Sequence, residues 1–295
     1  MTAISRPAAM ATVKRRRGPQ PGRLLLHISI GILIFLWLLP TLGMLVNSFR
    51  EPADVSSSGW WTALTPTAKL TLENYQHVLA QNGLGQAFLN SLFITIPATI
   101  IPVAVAAFAA YAFAWMKFPG RDALFILVVG LLVIPLQSTF VPILRLFRDL
   151  GIAGQFVTVW LAHTGYGLPF AIFLLRNYMG GLPREVFESA AIDGASPATA
   201  FFRLALPMSV PAIASLVIFQ FMFVWNDLLV ALILVGGTAQ VAPMTVTIAN
   251  LVNSLGQGYQ LLTAAAFISM ALPLVVFFGL QRFFVRGILG GSVKG

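Results

Sequence analysis

Three of the chain's nine acidic residues, Glu185, Glu188 and Asp193, sit close together in a short stretch bounded by Pro183 and Pro197. Carboxylates at this spacing can pair with basic residues of a partner or cap helical turns. The small Ser189 and Ala190 beside them allow a close approach. A second set of polar residues lies in otherwise apolar sequence: Gln137, Ser138 and Thr139 between Pro135 and Pro142, then Gln220, Asn226 and Asp227. Hydrogen-bonding groups in such surroundings suit a path or gate for a polar solute. Catalytic chemistry finds no support. Cysteine is absent, which excludes disulfides, thiolate nucleophiles and Cys-ligated metal. His27, His77 and His163 are far apart and in no ligand spacing, and no Gly-x-x-x-x-Gly-Lys phosphate loop occurs. The chain therefore reads as non-catalytic, with no metal and no cofactor of its own.

The elements that position these residues must lie in lipid. Hydrophobic residues make up 58% of the chain and charged residues 9%, with a mean hydropathy of +0.87. A soluble domain carries about 25% charged residues. A bilayer core needs about 20 apolar residues per helix. The expected organisation is a basic tail over 1–23 and a transmembrane domain over 24–295. Its six spans lie near 24–47, 88–116, 123–147, 153–176, 205–234 and 262–284, with a seventh short or re-entrant segment possible within 243–255. The fold class is all-α and polytopic. Leu24–Val46 is too long for the apolar region of a signal peptide, and it predicts a retained first span.

Charge sets the orientation. With the N-terminus inside, 14 of the 18 basic residues fall on the cytoplasmic side, and only Arg50, Lys69, Arg145 and Arg148 face out. The positive-inside rule then places both termini in the cytoplasm. The net charge of +9 is a membrane signature on this reading, with no nucleic-acid partner. The outer segment Ser48–Ala87 is polar enough to fold over the membrane surface. Gly236–Gln260 has no charge and is expected to pack on protein. Prolines interrupt the middle spans at 97, 102, 135, 142 and 169. Each frees a carbonyl that needs another partner in hydrocarbon.

The segment Leu182–Pro197 predicts a helix with Pro183 at its first position, Glu185 in its first turn and a left-handed stop at Gly194. Ser196-Pro197 then caps a second helix, which leads through Leu204, Leu206 and Pro207 back into the membrane. On local chemistry this is either a docking element for a soluble partner or a well-capped connector.

The spacing carries a resemblance. Glu188-Ser189-Ala190, three residues, Gly194, nine residues, Leu204, one residue, then Leu206-Pro207 resembles the EAA loop of permease subunits in ATP-binding-cassette (ABC) importers. Ser189 replaces Ala, and Leu204 replaces Ile. Ala190–Ser196, Trp225-Asn226-Asp227, Gln281-Arg282-Phe283 and Val293-Lys294-Gly295 are similar to the carbohydrate branch, in particular the shorter maltose-transporter permease.

The resemblance implies the six-helix type I architecture in a bacterial or archaeal cell membrane. It also implies a second homologous permease, two ATPase subunits that bind the ATP, and an extracytoplasmic solute-binding protein that delivers a sugar. The helix around Glu188–Gly194 would couple ATPase closure to the permease.

Asp227 is the one acid inside an expected span, toward its outer end. A structural or gating role is expected, by capping or by hydrogen bonding with Asn226 and Trp225; direct sugar contact is the alternative. Two rival functions remain at this point. An ion-coupled secondary transporter would want more intramembrane acids than Asp227 alone. An intramembrane enzyme would want a Ser-His couple, paired acids or metal ligands, and His27 and His163 have no such neighbours in sequence.

Overall fold

The computed structural model describes residues 21–66, 69–251 and 258–292, with side chains described from 22 to 281 within them. The basic cluster Lys14–Arg17 and the C-terminal Val293-Lys294-Gly295 lie outside the described residues. Among the described residues the chain is helical, and its single β contact is an isolated bridge between Arg50 and Leu70.

Helix α1 (Pro21–Asn47) is apolar on every side, as a lipid-facing helix must be. Its residues are almost all exposed in the isolated chain, with Trp37 at 83%. Short helices α2 (Pro52–Ser57) and α3 (Glu73–Ala80) follow in the segment between α1 and the next long helix. Arg50 organises that segment from a buried position, donating to the Asn47 Oδ1, Asp54 O, Ser58 O, Ser58 Oγ and Thr62 Oγ1 atoms. A buried guanidinium is tolerated only when its donors are used in this way. Trp60, from a 3-10 turn over Trp60–Leu64, closes against Gly43 of α1.

The bundle centres on α4 (Leu84–Trp115) and α7 (Phe156–Gly180), the most extensively paired helices. Ala98, Ala106, Ala107 and Ala110 are buried on α4, and such small residues let membrane helices approach closely. Between these two, α5 (Arg121–Gly130) and α6 (Phe140–Asp149) with their flanking 3-10 turns form a pair bent by 96°. The third span is thus broken at Ile134-Pro135, where the expected helix over 123–147 ran straight through. Proline removes the bond that would hold the two halves in line.

After α7 come α8 (Arg184–Ile192), α9 (Pro197–Ala200), a π-helical turn over Phe201–Ala205 and α10 (Leu206–Met208). Helix α11 (Val210–Trp225) then leaves at 73° to the preceding segment. The expected span over 205–234 is interrupted: α11 ends at Trp225, and α12 (Leu229–Leu234) starts afresh. Among the described residues four helices are long and apolar enough to cross a membrane, or up to six if each bent pair is one span. The short α13 (Met244–Ala249) occupies the region where a re-entrant segment was considered. It packs on α4 and on α14 (Tyr259–Ser292), as expected of the uncharged segment 236–260.

Three of the freed carbonyls have found partners. Pro97, Pro102 and Pro273 cannot donate to the carbonyls four residues earlier, those of Phe93, Ala98 and Ser269. Each of these accepts a side-chain N–H from a neighbouring helix instead. Trp160 Nε1 of α7 reaches Phe93 O at 3.0 Å, and Gln220 Nε2 of α11 reaches Ala98 O at 3.1 Å. Trp225 Nε1 of α11 reaches Ser269 O at 3.1 Å. The helix breaks thereby become joints between helices.

Candidate functional site

The short helix α8 is held rigidly under the bundle. Its one buried residue, Phe187, stacks on Trp115 at the end of α4, with ring centroids 3.9 Å apart. The indole of Trp115 donates to Met179 O near the end of α7 at 3.0 Å. One aromatic pair therefore ties α8 to the two central helices. Buried Phe201, from the π turn, stacks on Phe108 and meets Tyr111 edge-on, which anchors the return segment to α4 as well. A single-turn π element is costly and recurs at functional sites.

The capping follows the expected chemistry. The helix begins at Arg184, so Pro183 stands at its N-cap, one place before the expected first position. Glu185 lies in the first turn. Asp193 is the C-cap, and Gly194 follows with φ +80, a backbone that only glycine adopts without strain. Its N–H bonds Ala191 O, and that of Ala195 bonds Ala190 O. Ser196 Oγ then accepts from Thr199 N at 3.2 Å, opening α9 with Pro197 in its first turn.

Glu185, Glu188, Ser189 and Asp193 are exposed, and Ala190 is half-buried. Leu206 is half-buried and Pro207 exposed on the return segment. The structure thus brings Glu185 to Gly194 onto one rigid, largely exposed helix and turn. Ile192, which sequence reasoning passed over, is 87% exposed at the end of α8.

The second residue set does not converge. Gln137 and Ser138 are exposed at the break in the third span, where Ser138 Oγ donates to Pro135 O. Neighbouring Thr139 shares a 2.7 Å hydrogen bond with Tyr166 of α7. A cavity of about 470 Å³ opens beside it, walled by Thr139, Phe147, Tyr166 and Phe223. Gln220 is buried between α4, α7 and α11 and lies so close to Gly167 that a Cβ there would fall 2.5 Å from its Oε1. Asn226 is exposed and donates back to Met222 O. It lines a separate cavity of about 490 Å³ with Thr245, Ser269 and Met270.

Asp227 sits in the break between α11 and α12. Its carboxylate accepts from Val230 N at 3.2 Å and Ala231 N at 3.0 Å, so it caps α12. The expectation was capping or hydrogen bonding with Asn226 and Trp225; the cap forms, on the amides of Val230 and Ala231. Its backbone O accepts from Thr245 Oγ1 at 2.6 Å, tying in α13. Helix α13 is fixed to α4 in turn, where Asn90 donates to Ala242 O and Ser91 Oγ accepts from Met244 N.

The structure also supplies the acidic neighbour that His163 lacks in sequence. His163 of α7 is fully buried, and its Nε2 stands 3.6 Å from Asp227 Oδ2. Among the described residues neither ring nitrogen has a hydrogen-bond partner. Sequence signals for this node were absent, because the two residues are remote along the chain. For the three proline joints a signal existed: each proline named the carbonyl that needed a donor. Among the described residues no group of His, Asp and Glu could hold a metal ion.

The described residues form an apolar helical bundle with broken spans and an exposed helix at one end, the architecture of a polytopic membrane protein. The chain belongs to the family described as binding-protein-dependent transport system inner membrane component, which matches residues 103–290. It is thus a multi-pass permease subunit of an ABC importer, a non-catalytic component. The osmoprotective compounds uptake permease protein GgtD of Synechocystis sp. is 59% identical over 275 residues, 92% of each chain. The alpha-glucoside transport system permease protein AglG of Rhizobium meliloti is 39% identical and covers 91% of this chain and 96% of its own. A crystal structure of a bacterial ABC transporter involved in the import of the acidic polysaccharide alginate contains a chain of the same fold. That chain has a TM-score of 0.73 and 18% identity over 89% of this chain and 96% of its own.

Proposed function

We propose that this chain forms half of the translocation pathway for a sugar, polyol or short oligosaccharide, and that α8 is its coupling helix. The observation that carries the coupling role is the combination of the loop's spacing with its mounting. Phe187 on Trp115, and Trp115 on Met179 O, tie α8 to α4 and α7. A push on its exposed face is therefore a push on the central helix pair. The outward-facing apolar Ile192 and acids Glu185, Glu188 and Asp193 suit a cleft on an ATPase subunit with an apolar floor and basic rim.

The partners on this reading are a second homologous permease, two ABC ATPase subunits and an extracytoplasmic solute-binding protein, all around a chain embedded in the bilayer with both termini in the cytoplasm. Names of relatives support the solute class: alpha-glucosides, arabinooligosaccharides and glucose are carried by their systems, beside osmoprotective compounds. Gln137, Ser138, Asn226 and Asp227 remain proposed path or gate residues, with Gln220 bracing the helices beside them. Uptake by the complete importer in proteoliposomes tests this. Accumulation should require ATP and the binding protein, and accumulation driven by an ion gradient without ATP would sink it.

A further inference from the structure

At the end where α4 and α7 finish, three cations face a common cleft of about 510 Å³ behind α8. Lys117 comes from the turn after α4, Arg121 opens α5, and Arg184 opens α8. Glu188 and Trp115 complete the relevant lining. Charge in the cleft is unbalanced. Arg121 pairs with its neighbour Asp122 at 2.9 Å, outside the cleft lining. Among the described residues, Lys117 and Arg184 have no acidic partner within 4.0 Å, even though Glu188 is one turn from Arg184. An adjoining hollow of about 440 Å³ shares Lys117 and Arg121.

Depth identifies the occupant. Arg176 lies over the ring of Phe125 at 4.8 Å, one turn along α5 from Arg121. It stands four residues before the end of α7, about 6 Å further into the membrane. The cations thus spread through a layer of headgroup thickness, about 5–8 Å per leaflet. A soluble protein's acidic edge would meet the exposed end of this array and stop short of Arg176, which lies outside the cleft lining and also donates to Asn177 Oδ1 at 3.3 Å. We propose that this corner binds the phosphate of an anionic phospholipid, with Lys117, Arg121 and Arg184 on the headgroup and the acyl chains leaving along α5 and α7. The site is independent of which solute is carried.

The test measures phosphatidylglycerol bound to the assembled importer by native mass spectrometry, with a nanodisc titration for affinity. Taking each cation as worth about fivefold, Lys117→Gln with Arg121→Gln should weaken binding roughly thirtyfold. Arg145→Gln, at the other end of the same broken span, should leave binding unchanged. The charge-preserving pair Lys117→Arg with Arg121→Lys should retain the lipid, which separates lost charge from lost folding. Equal lipid retention in the glutamine pair overturns the proposal. So does loss of the ATPase subunits with lipid retained, which would assign the cleft to protein. Displacement of the lipid by millimolar inorganic phosphate would likewise overturn it, in favour of a free anion site.

Discussion

Gln220 offers a clean test of the proline joints, because its partner's need was created by a single residue. Pro102 cannot donate to Ala98 O, and Gln220 Nε2 does so from α11 at 3.1 Å. Its second contact, to His163 O, is 3.4 Å long and adds little. Gln220→Leu keeps nearly the same volume and removes one donor. The buried acceptor then goes unpaired, at a cost of about 1–3 kcal/mol, with membrane measurements pointing to the lower end. Pro102→Ala restores the missing N–H, so α4 can satisfy Ala98 O internally. In that background Gln220→Leu should cost a few tenths of a kcal/mol. The coupling in the double-mutant cycle is therefore expected at about 1 kcal/mol. Reversible unfolding in mixed detergent and SDS micelles measures all four proteins. Equal costs for Gln220→Leu in both backgrounds would refute the joint.

The other expectations concern coupling and the cap of α12. Glu188→Lys should abolish binding-protein-stimulated ATP hydrolysis while the complex still assembles, as seen by co-purification of the ATPase subunits. Gly194→Val forces a β-branched residue into φ +80 and should cost at least 1–2 kcal/mol locally, with the same uncoupled phenotype. Phe187→Ala removes the stack on Trp115; a loss of about 3 kcal/mol in unfolding experiments, with weaker coupling, is expected. Asp227→Ala uncaps α12 at a cost of about 1 kcal/mol, and Asp227→Asn, which keeps an accepting oxygen, should recover most of that stability.

The parts of the fold written in local sequence were readable in advance. Span positions follow from apolar runs. The α8 turn follows from Glu185, Gly194 and Ser196-Pro197, whose side chains and φ preferences act within a few residues. The bends were not readable to the same degree. Hydropathy registers that Ile134-Pro135 and Asn226-Asp227 are flanked by apolar residues, and it carries no information about the direction the chain takes there. The 96° turn is set by what α5 and α6 pack against. Long-range pairings were silent for the same reason. His163 and Asp227 meet only because α7 and α11 cross, and the stack of Phe187 on Trp115 depends on where α4 stops. Gln220 looked from sequence like a path residue, since a buried polar side chain has the same composition signal whether it greets a solute or a neighbouring backbone.

The three proline joints also bear on the order in which the protein is made. The donor for Ala98 O lies 122 residues downstream, and that for Phe93 O lies 67 downstream. Helix α4 therefore leaves the ribosome and enters the bilayer with two open acceptors that nothing yet synthesised can close. Trp160 arrives with α7 and settles the first; Gln220 arrives with α11 and settles the second. The third joint runs the other way, with Trp225 made 44 residues before Ser269, so α11 waits for α14. The growing chain thus carries an unmet bonding demand from its second span to its last, and each later helix that enters the membrane has a fixed address on an earlier one.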